Sequence, residues 1–509
     1  MKEKLIIFVV LFVACGAAVF AWENSLRSPV YSSPVVNEEN KDTNRSAPLE
    51  CVDCNVIMIS LSNVSAEHMS LYGYERVTTP NLDAWAKDAI VFENAFTQSS
   101  WTLPVGVSLF TSLYPYAHGV TDRYENNVLR EDIATLPEIL RDNGYMTAAF
   151  TGGLDYSRVF GHMRGFDEVV EAGKDVNWPT DFAGFSATFP KAKQWVEKNS
   201  ENKFFLFLHG YDTHCPFVPP KEVQGTFAKK SNDITIDPSL CYRGYANNET
   251  GKYEAYYSKT KQEKVLLTNN DIEYLKDSYD EEIVAVDALA TDFLESLDKS
   301  VLDKTVVVVF SDHGEMFAKH GRFGRAGAIR GTLYDDVLHV PLIVKVPQYE
   351  GKKVGGLTQI IDIMPTVLKI LNIQTDTAAQ GKDLVSMIET NEESNDFVFS
   401  GSEFNVGIFN SVYKQKSVNE AARDHQWKLI HEVKLSESGG VENETFELYD
   451  IKNDRDELYN VIDDQAEVAA ELKKILSDWT YESKNIMRKG KTEEVPDSLQ
   501  EEARKRGYW

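Results

Sequence analysis

The chain has 509 residues, with 53 Lys and Arg against 79 Asp and Glu, so its formal net charge is −26. This length allows one large domain with a sizeable core and a smaller one beside it. A surface this acidic repels phosphate backbones and anionic lipids, which excludes a nucleic-acid partner and argues against membrane binding through a basic patch.

The first 22 residues have the pattern of an export signal. Two lysines precede an apolar run over residues 5–22, and Val19-Phe20-Ala21 offers a small-residue cleavage site. Three forms remain open: a cleaved signal peptide, a lipoprotein anchored at Cys15, and a retained membrane helix. Residues 23–50 lack apolar periodicity and are predicted to be a linker. We expect an exported, periplasmic or membrane-anchored protein of the cell envelope that meets the membrane only through this anchor.

From residue 51 onward, short apolar β-rich runs alternate with helical patterns. The predicted strands are Asn55–Leu61, Met146–Thr151, Phe204–His209, Thr305–Ser311 and Val340–Val346. The predicted helices of this part are Pro80–Ala89, 270–297 and Met364–Leu371. The alternation predicts an α/β fold with one doubly wound sheet over residues 51–390. Over residues 391–509 short strands and then a helix at Asp464–Trp479 predict a small C-terminal α+β subdomain.

Four cysteines follow the export signal. Export to an oxidising compartment favours two disulfides, with Cys51–Cys54 and Cys215–Cys241 expected among the three pairings that four cysteines allow. A zinc site is disfavoured, because no second CxxC pair exists to complete it.

Polar residues directly follow three of the predicted strands. Ser62 and Asn63 follow the first strand, residues 209–217 the third, and Asp312 and His313 the fourth. Ligands of an open α/β sheet bind at the carboxyl ends of its strands, so we expect these side chains to face one site. Asp312 and His313 offer a carboxylate and an imidazole to a cation.

A series of short motifs runs through most of the chain. They are Leu71-Tyr72-Gly73-Tyr74-Glu75-Arg76, Trp101-Thr102-Leu103-Pro104, His214-Cys215-Pro216-Phe217, Asp312-His313-Gly314-Glu315, Asp362-Ile363-Met364-Pro365-Thr366 and Glu447-Leu448-Tyr449-Asp450. In content and order the series resembles the sulfatase family, within the alkaline-phosphatase superfamily. The resemblance implies a doubly wound mixed sheet of that superfamily's type. It also implies transfer of a sulfuryl or phosphoryl group through a covalent intermediate beside a divalent cation.

The resemblance assigns roles to particular side chains. Thr102 opens the C/S/T-x-P motif and is implied as the nucleophile, while its alternative role is the N-cap of a helix starting at Pro104. His214 and His320 are implied as further catalytic residues, and Arg325 and Arg330 as groups that bind the anionic ester.

The implied metal ligands are Asp312, His313, Asn63 and Ser62, the last two through neutral oxygens. We expect one divalent cation (Ca²⁺, Mn²⁺, Mg²⁺ or Zn²⁺), weakly held because only one ligand is anionic. Thr102 does not match the Cys or Ser precursor of formylglycine, so no formylglycine is expected.

Several active-site positions depart from the family pattern. The family ends its first strand in a ligating Asp, often followed by Thr or Asp, where this chain has Ser62 and Asn63. A usual Asp is replaced by Glu67. The polar residues that the family carries after the C/S/T-x-P proline are Val105 and Gly106 here. These changes affect the groups that would hold the cation and the nucleophile.

Two functions remain open at this stage. The first is an exported enzyme that hydrolyses or transfers a sulfate or phosphate ester through a metal-activated Thr102. The second is a catalytically inactive pseudo-sulfatase that binds an anionic envelope polymer, sulfated or phosphorylated. Either function implies an anionic ester as partner, with a polysaccharide or another envelope component as its source.

Overall fold

The computed structural model describes residues 49–121, 128–171, 184–246, 253–257, 263–324, 332–406, 415–436 and 438–488. The predicted signal or anchor, and the two arginines predicted to bind the ester (Arg325 and Arg330), lie outside these residues. None of the helices in the described ranges is both long enough and apolar enough to cross a membrane.

Strands and helices alternate over much of the described part of residues 55–370, as the sequence predicts. The strands are β1 (Asn55–Ser60), β2 (Ile90–Phe96), β3 (Met146–Thr151), β4 (Glu168–Glu171), β5 (Phe204–His209), β6 (Tyr242–Ala246), β7 (Tyr253–Tyr257), β8 (Glu263–Leu267), β9 (Thr305–Phe310), β10 (Arg322–Phe323), β11 (Leu342–Lys345), β12 (Lys352–Gln359), β13 (Val398–Val406), β14 (Gln415–Arg423), β15 (Trp427–Leu435) and β16 (Val441–Asp450). The helices are α1 (Pro80–Trp85), α2 (Thr102–Thr111), α3 (Pro115–His118), α4 (Leu136–Asp142), α5 (Phe185–Asn199), α6 (Asn269–Glu295), α7 (Lys299–Leu302), α8 (Asp335–Leu338), α9 (Ile363–Ile370), α10 (Val385–Thr390) and α11 (Ala466–Arg488).

Eight strands form the central sheet, in the order β12-β2-β11-β9-β1-β5-β3-β4. Strand β11 runs antiparallel to both of its neighbours, whereas the other neighbouring pairs are parallel. The fold is therefore the mixed, doubly wound α/β sheet that the sequence predicts. The carboxyl ends of β1, β3, β5 and β9 meet at one edge.

The central strands are apolar because both faces of the sheet are covered. Every residue of β1, β5 and β9 is buried. On one face Phe207 and Met58 belong to a core that includes Phe110 of α2 and Met364 of α9. On the other face Ile57 and its neighbours pack with the long helix α6. Helices on both faces explain the continuous apolar runs of these strands.

The structure also differs from the prediction in several elements. Strands β2, β4 and β12 are not among the predicted strands, and β2 and β12 extend the sheet beyond β11. Helix α11 begins at Ala466 and continues to Arg488, beyond the predicted end at Trp479. Helix α2 begins at Thr102 itself, with Trp101 as the flanking residue, so Thr102 is not the N-cap of a helix starting at Pro104.

A C-terminal sheet subdomain is present, as predicted. Strands β13 to β16 form an antiparallel sheet in chain order. Helix α11 packs on this sheet through Trp479, whose ring stacks on Phe399 with 5.1 Å between ring centroids and meets Tyr114 edge-on at 5.2 Å. A second small sheet has the order β10-β6-β7-β8.

Both expected disulfides are formed. Cys51 and Cys54 join the residues just before β1, and Cys215 and Cys241 join the segment after β5 to the residue before β6. The second bond ties down the long connection that follows β5.

Candidate functional site

Thr102 is the first residue of a helix that is buried along its whole length. All ten residues of α2 are buried, and Thr102 is 3% exposed. The Thr102 hydroxyl oxygen lies 3.2 Å from Nε2 of His313, which follows β9. The structure thus joins the predicted nucleophile to one of the predicted metal ligands.

The surroundings of His313 indicate where its proton sits. Its Nδ1 lies 3.1 Å from the carbonyl oxygen of Gly314 and therefore donates a hydrogen bond to it. In the neutral ring, Nε2 then has a lone pair directed at Thr102. The Thr102 hydroxyl can donate its proton to that nitrogen.

Asp312 is fully buried, and its two carboxylate oxygens differ in their hydrogen bonds. Oδ1 accepts hydrogen bonds from the backbone N–H groups of Asn63 at 2.9 Å and His313 at 3.0 Å. Oδ2 has no hydrogen-bond partner among the described residues and lies 3.3 Å from His313 Nε2. A buried carboxylate oxygen in this state is costly unless a cation or another donor reaches it.

Ser62 and Asn63 form a tight turn after β1. Both have left-handed backbone conformations, with φ of 58° and 53°. The turn is held by its carbonyl oxygens, because Thr213 donates its hydroxyl to Ser62 and Tyr279 donates its own to Asn63 at 2.7 Å. These bonds place the turn against Asp312.

The side chains of the turn differ in their bonding. Asn63 Nδ2 donates to the carbonyl oxygen of Thr213 at 2.7 Å and to the carboxylate of Glu315 at 3.2 Å. The Ser62 hydroxyl is buried and has no hydrogen-bond partner in the described part of the chain. The side-chain NH₂ of Asn63 thus stabilises the turn through these two hydrogen bonds, whereas the hydroxyl oxygen of Ser62 is available to a ligand.

The donor set around Asp312 fits a divalent cation, with a low ligand charge. Oδ2 of Asp312 and the hydroxyl of Ser62, which have no hydrogen-bond partner among the described residues, are hard oxygen donors. His313 Nε2 lies 3.3 Å from Asp312 Oδ2 and 3.2 Å from Thr102 Oγ1, and its one lone pair can serve either a cation or the Thr102 proton. Asp312 is the one anionic side chain of the four predicted ligands. Because the predicted ligands carry a single negative charge, we expect the cation to bind weakly.

His214 lies on the segment that follows β5, close to the turn after β1. Its Nδ1 is 2.7 Å from the carbonyl oxygen of Cys215, and its ring meets that of Tyr211 with 5.3 Å between centroids. The neighbouring Thr213 binds Asn63. His214 is therefore on the same edge of the sheet as Asp312.

His320 belongs to a different group of contacts. Its ring stacks on Tyr334 at 3.6 Å between centroids and approaches Tyr449 of β16 at 6.3 Å. Burial and the nearby charge of Lys428 lower the pKa of His320 to about 4, which keeps it neutral. Its catalytic role stays a prediction, and its contacts connect it to the C-terminal sheet.

Glu67 also lies apart from Thr102. Its carboxylate binds His339 Nδ1 at 2.8 Å and Arg455 at 3.0 Å. It lines a polar cavity of about 340 Å³ together with Arg423 and Asp335. The residue that replaces the family's Asp here joins the first domain to the C-terminal subdomain.

The sequence interpretation missed Tyr156, which packs against α2. A Cβ atom on Gly106 would lie 2.7 Å from Cε1 of Tyr156, so the absent side chain at position 106 makes room for this ring. The ring also lies 4.6 Å from that of His209, the last residue of β5. His209 ends one predicted strand and Tyr156 comes shortly after the end of another. A position near a strand end is therefore the signal that could have identified Tyr156.

The chain is similar to known proteins over most of its described length. A family model described as Sulfatase matches residues 54–373, and one described as N-sulphoglucosamine sulphohydrolase, C-terminal, matches residues 327–503. Arylsulfatase K of Xenopus laevis is 24% identical over 375 residues, which cover 67% of each chain. N-acetylglucosamine-6-O-sulfatase of Bacteroides thetaiotaomicron is 22% identical and is matched over 66% of this chain and 71% of its own.

Solved structures show the same fold. The phosphonate monoester hydrolase of Agrobacterium radiobacter aligns with a TM-score of 0.64 at 20% identity, over 83% of this chain and 95% of its own. A 2-O GAG sulfatase aligns with a TM-score of 0.63 at 19% identity, over 88% and 96% of the two chains.

Proposed function

Because the chain belongs to the sulfatase family, we propose that it is an exported enzyme that hydrolyses or transfers a sulfate or phosphate ester, with Thr102 as its nucleophile. The observation that carries the proposal is the hydrogen bond from Thr102 to His313, beside a buried carboxylate oxygen of Asp312 that accepts no hydrogen bond from the described residues. The two sequence relatives named above are sulfatases, which supports a sulfate ester as the first substrate to test.

The side chains around Thr102 can perform the first step. Oγ1 of Thr102 forms a bond to sulfur or phosphorus while the ester oxygen leaves with the electron pair of the broken bond. The proton of Thr102 passes to Nε2 of His313, which gives it to the departing oxygen, so that an alcohol is released. Gly314 holds the His313 ring in the orientation that this transfer needs. The sulfatase family generally uses a divalent metal, and such an ion on Asp312 and Ser62 would lower the pKa of the Thr102 hydroxyl and offset the charge of the ester oxygens.

We propose an anionic polysaccharide or a related envelope component as the source of the ester. The relative from Bacteroides thetaiotaomicron is named for a sulfated amino sugar, and one structural relative for a 2-O GAG substrate. The export signal predicted at the N-terminus is consistent with such a substrate, since polymers of this kind lie outside the cytoplasm.

A second function is favoured by the turn after β1. The family's strand-one carboxylates are replaced by Ser62 and Asn63, and the Asn63 amide is bound to Thr213 and Glu315. A chain with this turn could retain the fold and bind an anionic envelope polymer without reacting with it. The two functions differ in whether Thr102 becomes esterified.

An assay of the full chain against its Thr102→Val variant tests the proposal. Aryl sulfate, phosphate monoester, phosphate diester and phosphonate ester substrates are offered with each of the four cations. We expect turnover that falls at least about 100-fold in Thr102→Val, because this variant keeps the shape of the side chain but has no nucleophile. Turnover equal in both proteins contradicts the proposal. Activity that is absent in the parent and gained by Ser62→Asp supports the second function.

A further inference from the structure

Three polar side chains form a row beneath helix α2. Ser60 of β1 is paired in register with His209 of β5, and His209 with Thr151 of β3. Residues paired across neighbouring strands point to the same face of the sheet. Here that face is the one on which Met58 and Phe207 pack with α2, so the row lies in the protein interior.

The ring of Tyr156 covers this row. It lies 4.6 Å from the His209 ring and 5.8 Å from that of His162, and it reaches this position because residue 106 is glycine. Ser60 is close enough to the Tyr156 phenol to influence its pKa, which burial and the charge of Asp312 raise well above the usual value. The cluster therefore lies next to the candidate site.

The polar atoms of the cluster are buried. In the described part of the chain, no hydrogen bond of normal length is made by the hydroxyl oxygens of Ser60, Thr151 and Tyr156 or by either ring nitrogen of His209, although the Ser60 hydroxyl interacts with the Tyr156 phenol and lowers its pKa. The exposed fraction of each of these side chains is 0%. Such groups cost free energy in a dry interior, and buried hydroxyls and imidazoles in folded proteins are normally hydrogen-bonded to protein or to ordered water.

The cluster is polar but uncharged. Burial lowers the pKa of His209 to about 4, although Asp312 and Asp155 oppose this shift. At neutral pH its ring thus offers one donor and one acceptor, and each hydroxyl offers both. A neutral set of donors and acceptors suits water better than a metal ion or an anion, because it supplies no charge to balance either.

We propose that Ser60, Thr151, Tyr156 and His209 form an internal binding site for ordered water beside Asp312. Buried water typically makes about three hydrogen bonds to otherwise unpartnered groups, and this cluster provides donors and acceptors of that kind. The site is a feature of the fold and does not depend on whether Thr102 reacts with an ester. It accounts for polar side chains at core positions of three adjacent strands.

A matched pair of Tyr→Phe variants of the full chain tests the site. Tyr156→Phe removes a hydroxyl that makes no hydrogen bond of normal length to the described residues, whereas Tyr279→Phe removes one that bonds Asn63 and Ser65 directly. If Tyr156 binds water, both variants lower the melting temperature, Tyr156→Phe by about 1–2 °C. If the cluster is dry, Tyr156→Phe raises it while Tyr279→Phe lowers it, and the proposal is overturned.

Thr151→Val and Thr147→Val provide a second pair on one strand. Thr147 donates its hydroxyl to Gly165 at 2.7 Å, whereas Thr151 has no such partner. We expect both variants to lose stability. A crystal structure of the parent at about 1.8 Å then shows ordered water within hydrogen-bonding distance of at least two of the cluster's polar atoms. The inference fails if that density is missing or if Thr151→Val is more stable than the parent.

Discussion

At the scale of single residues, Gly106 determines what surrounds the nucleophile. In this chain the fifth residue of α2 has no side chain, and the Tyr156 ring occupies the adjoining space. The family's polar group at this position is thereby replaced by a phenol that comes from another part of the sheet edge. The polar groups available near Thr102 therefore depend on Gly106 and Tyr156 together.

Gly106→Ala should destabilise the fold although alanine favours helix formation. The added Cβ would lie 2.7 Å from Cε1 and 3.1 Å from Cζ of Tyr156, so the ring must shift in a packed core. We expect a loss of about 1–3 kcal/mol in the free energy of unfolding, measured by denaturant titration. Combining the change with Tyr156→Leu should cost less than the sum of the two single variants. Strict additivity would show that the two residues do not compete for space.

Glu67 should contribute stability that is lost in acid. Burial alone would raise its pKa, but its bonds with His339 and Arg455 outweigh burial and lower the pKa from 4.5 to about 2. Because the folded-state pKa lies below the unfolded one, the contribution is full above about pH 4.5 and disappears as the pH falls towards 2. We expect Glu67→Gln to be less stable than the parent at pH 6, with a gap that narrows between pH 4.5 and 2.5. A gap that stays constant with pH would contradict this role.

The positions of single residues in the site were predictable where a sequence motif identifies the residue. They were not predictable where the position depends on side-chain packing. Thr102, Asp312 and His313 lie together as their motifs predict. His209 lies in the segment that the sequence places at the strand ends, but its contact with Tyr156 could not be predicted, because their proximity arises from the register of β3 and β5 and from the space left by a glycine on α2. Strand ends indicate where such residues lie, but not which of them meet.

At the scale of elements, the C-terminal sheet is fastened to the first domain by a buried charge cluster. Lys428 of β15 is 0% exposed and lies 2.6 Å from carboxylate oxygens of both Asp335 in α8 and Glu457 after β16. Arg423 of β14 also reaches Asp335, at 3.3 Å. Burial raises the pKa of Glu457, whereas the charge of Lys428 lowers that of Asp335 despite burial. The cluster links α8 to β14, β15 and the segment after β16, all of which lie far from α8 in the sequence.

Lys428→Met should loosen this attachment. Removing the Lys428 cation leaves the buried carboxylate of Glu457 without its ion-pair partner and leaves Asp335 with Arg423, and breaking a buried ion pair typically costs about 3–5 kcal/mol. We expect a lower melting temperature and faster proteolysis of the C-terminal sheet than of the central one. Lys434→Met is the control on the same strand, since Lys434 is 42% exposed and its nearest carboxylate oxygen is 3.8 Å away. Equal effects of the two variants would contradict the structural role of Lys428.

The sequence predicts the bounds of the fully buried central strands better than those of strands at the side of the sheet. The strands β3 and β5 begin and end where the apolar runs predict, because both faces are covered and no alternation blurs the pattern. Strands β2 and β12 were missed, since they lie at one side of the sheet and carry charged or glycine residues such as Glu93 and Gly355. Their position depends on pairing with each other, which no local pattern reveals.

At the scale of the whole molecule, the order of the motifs predicts the family and the fold, because several of them follow a strand of the central sheet or begin a helix beside it, as Asp312-His313 and Thr102 do. The chemistry is less determined, since the net charge of −26 says nothing about the ligand of one buried site. What distinguishes an enzyme from a binding protein here is whether a cation occupies a site with Asp312 as its one carboxylate.

Calorimetric titration of the metal-free full chain with Ca²⁺, Mn²⁺, Mg²⁺ and Zn²⁺ tests this point most directly, with Asp312→Asn as the control. We expect saturable binding of one cation to the parent, weak for a family member and lost in the control, because Asp312 supplies the site's negative charge. The absence of binding at millimolar concentrations of every cation would contradict a metal-activated Thr102, and would leave the non-catalytic function as the account of this fold.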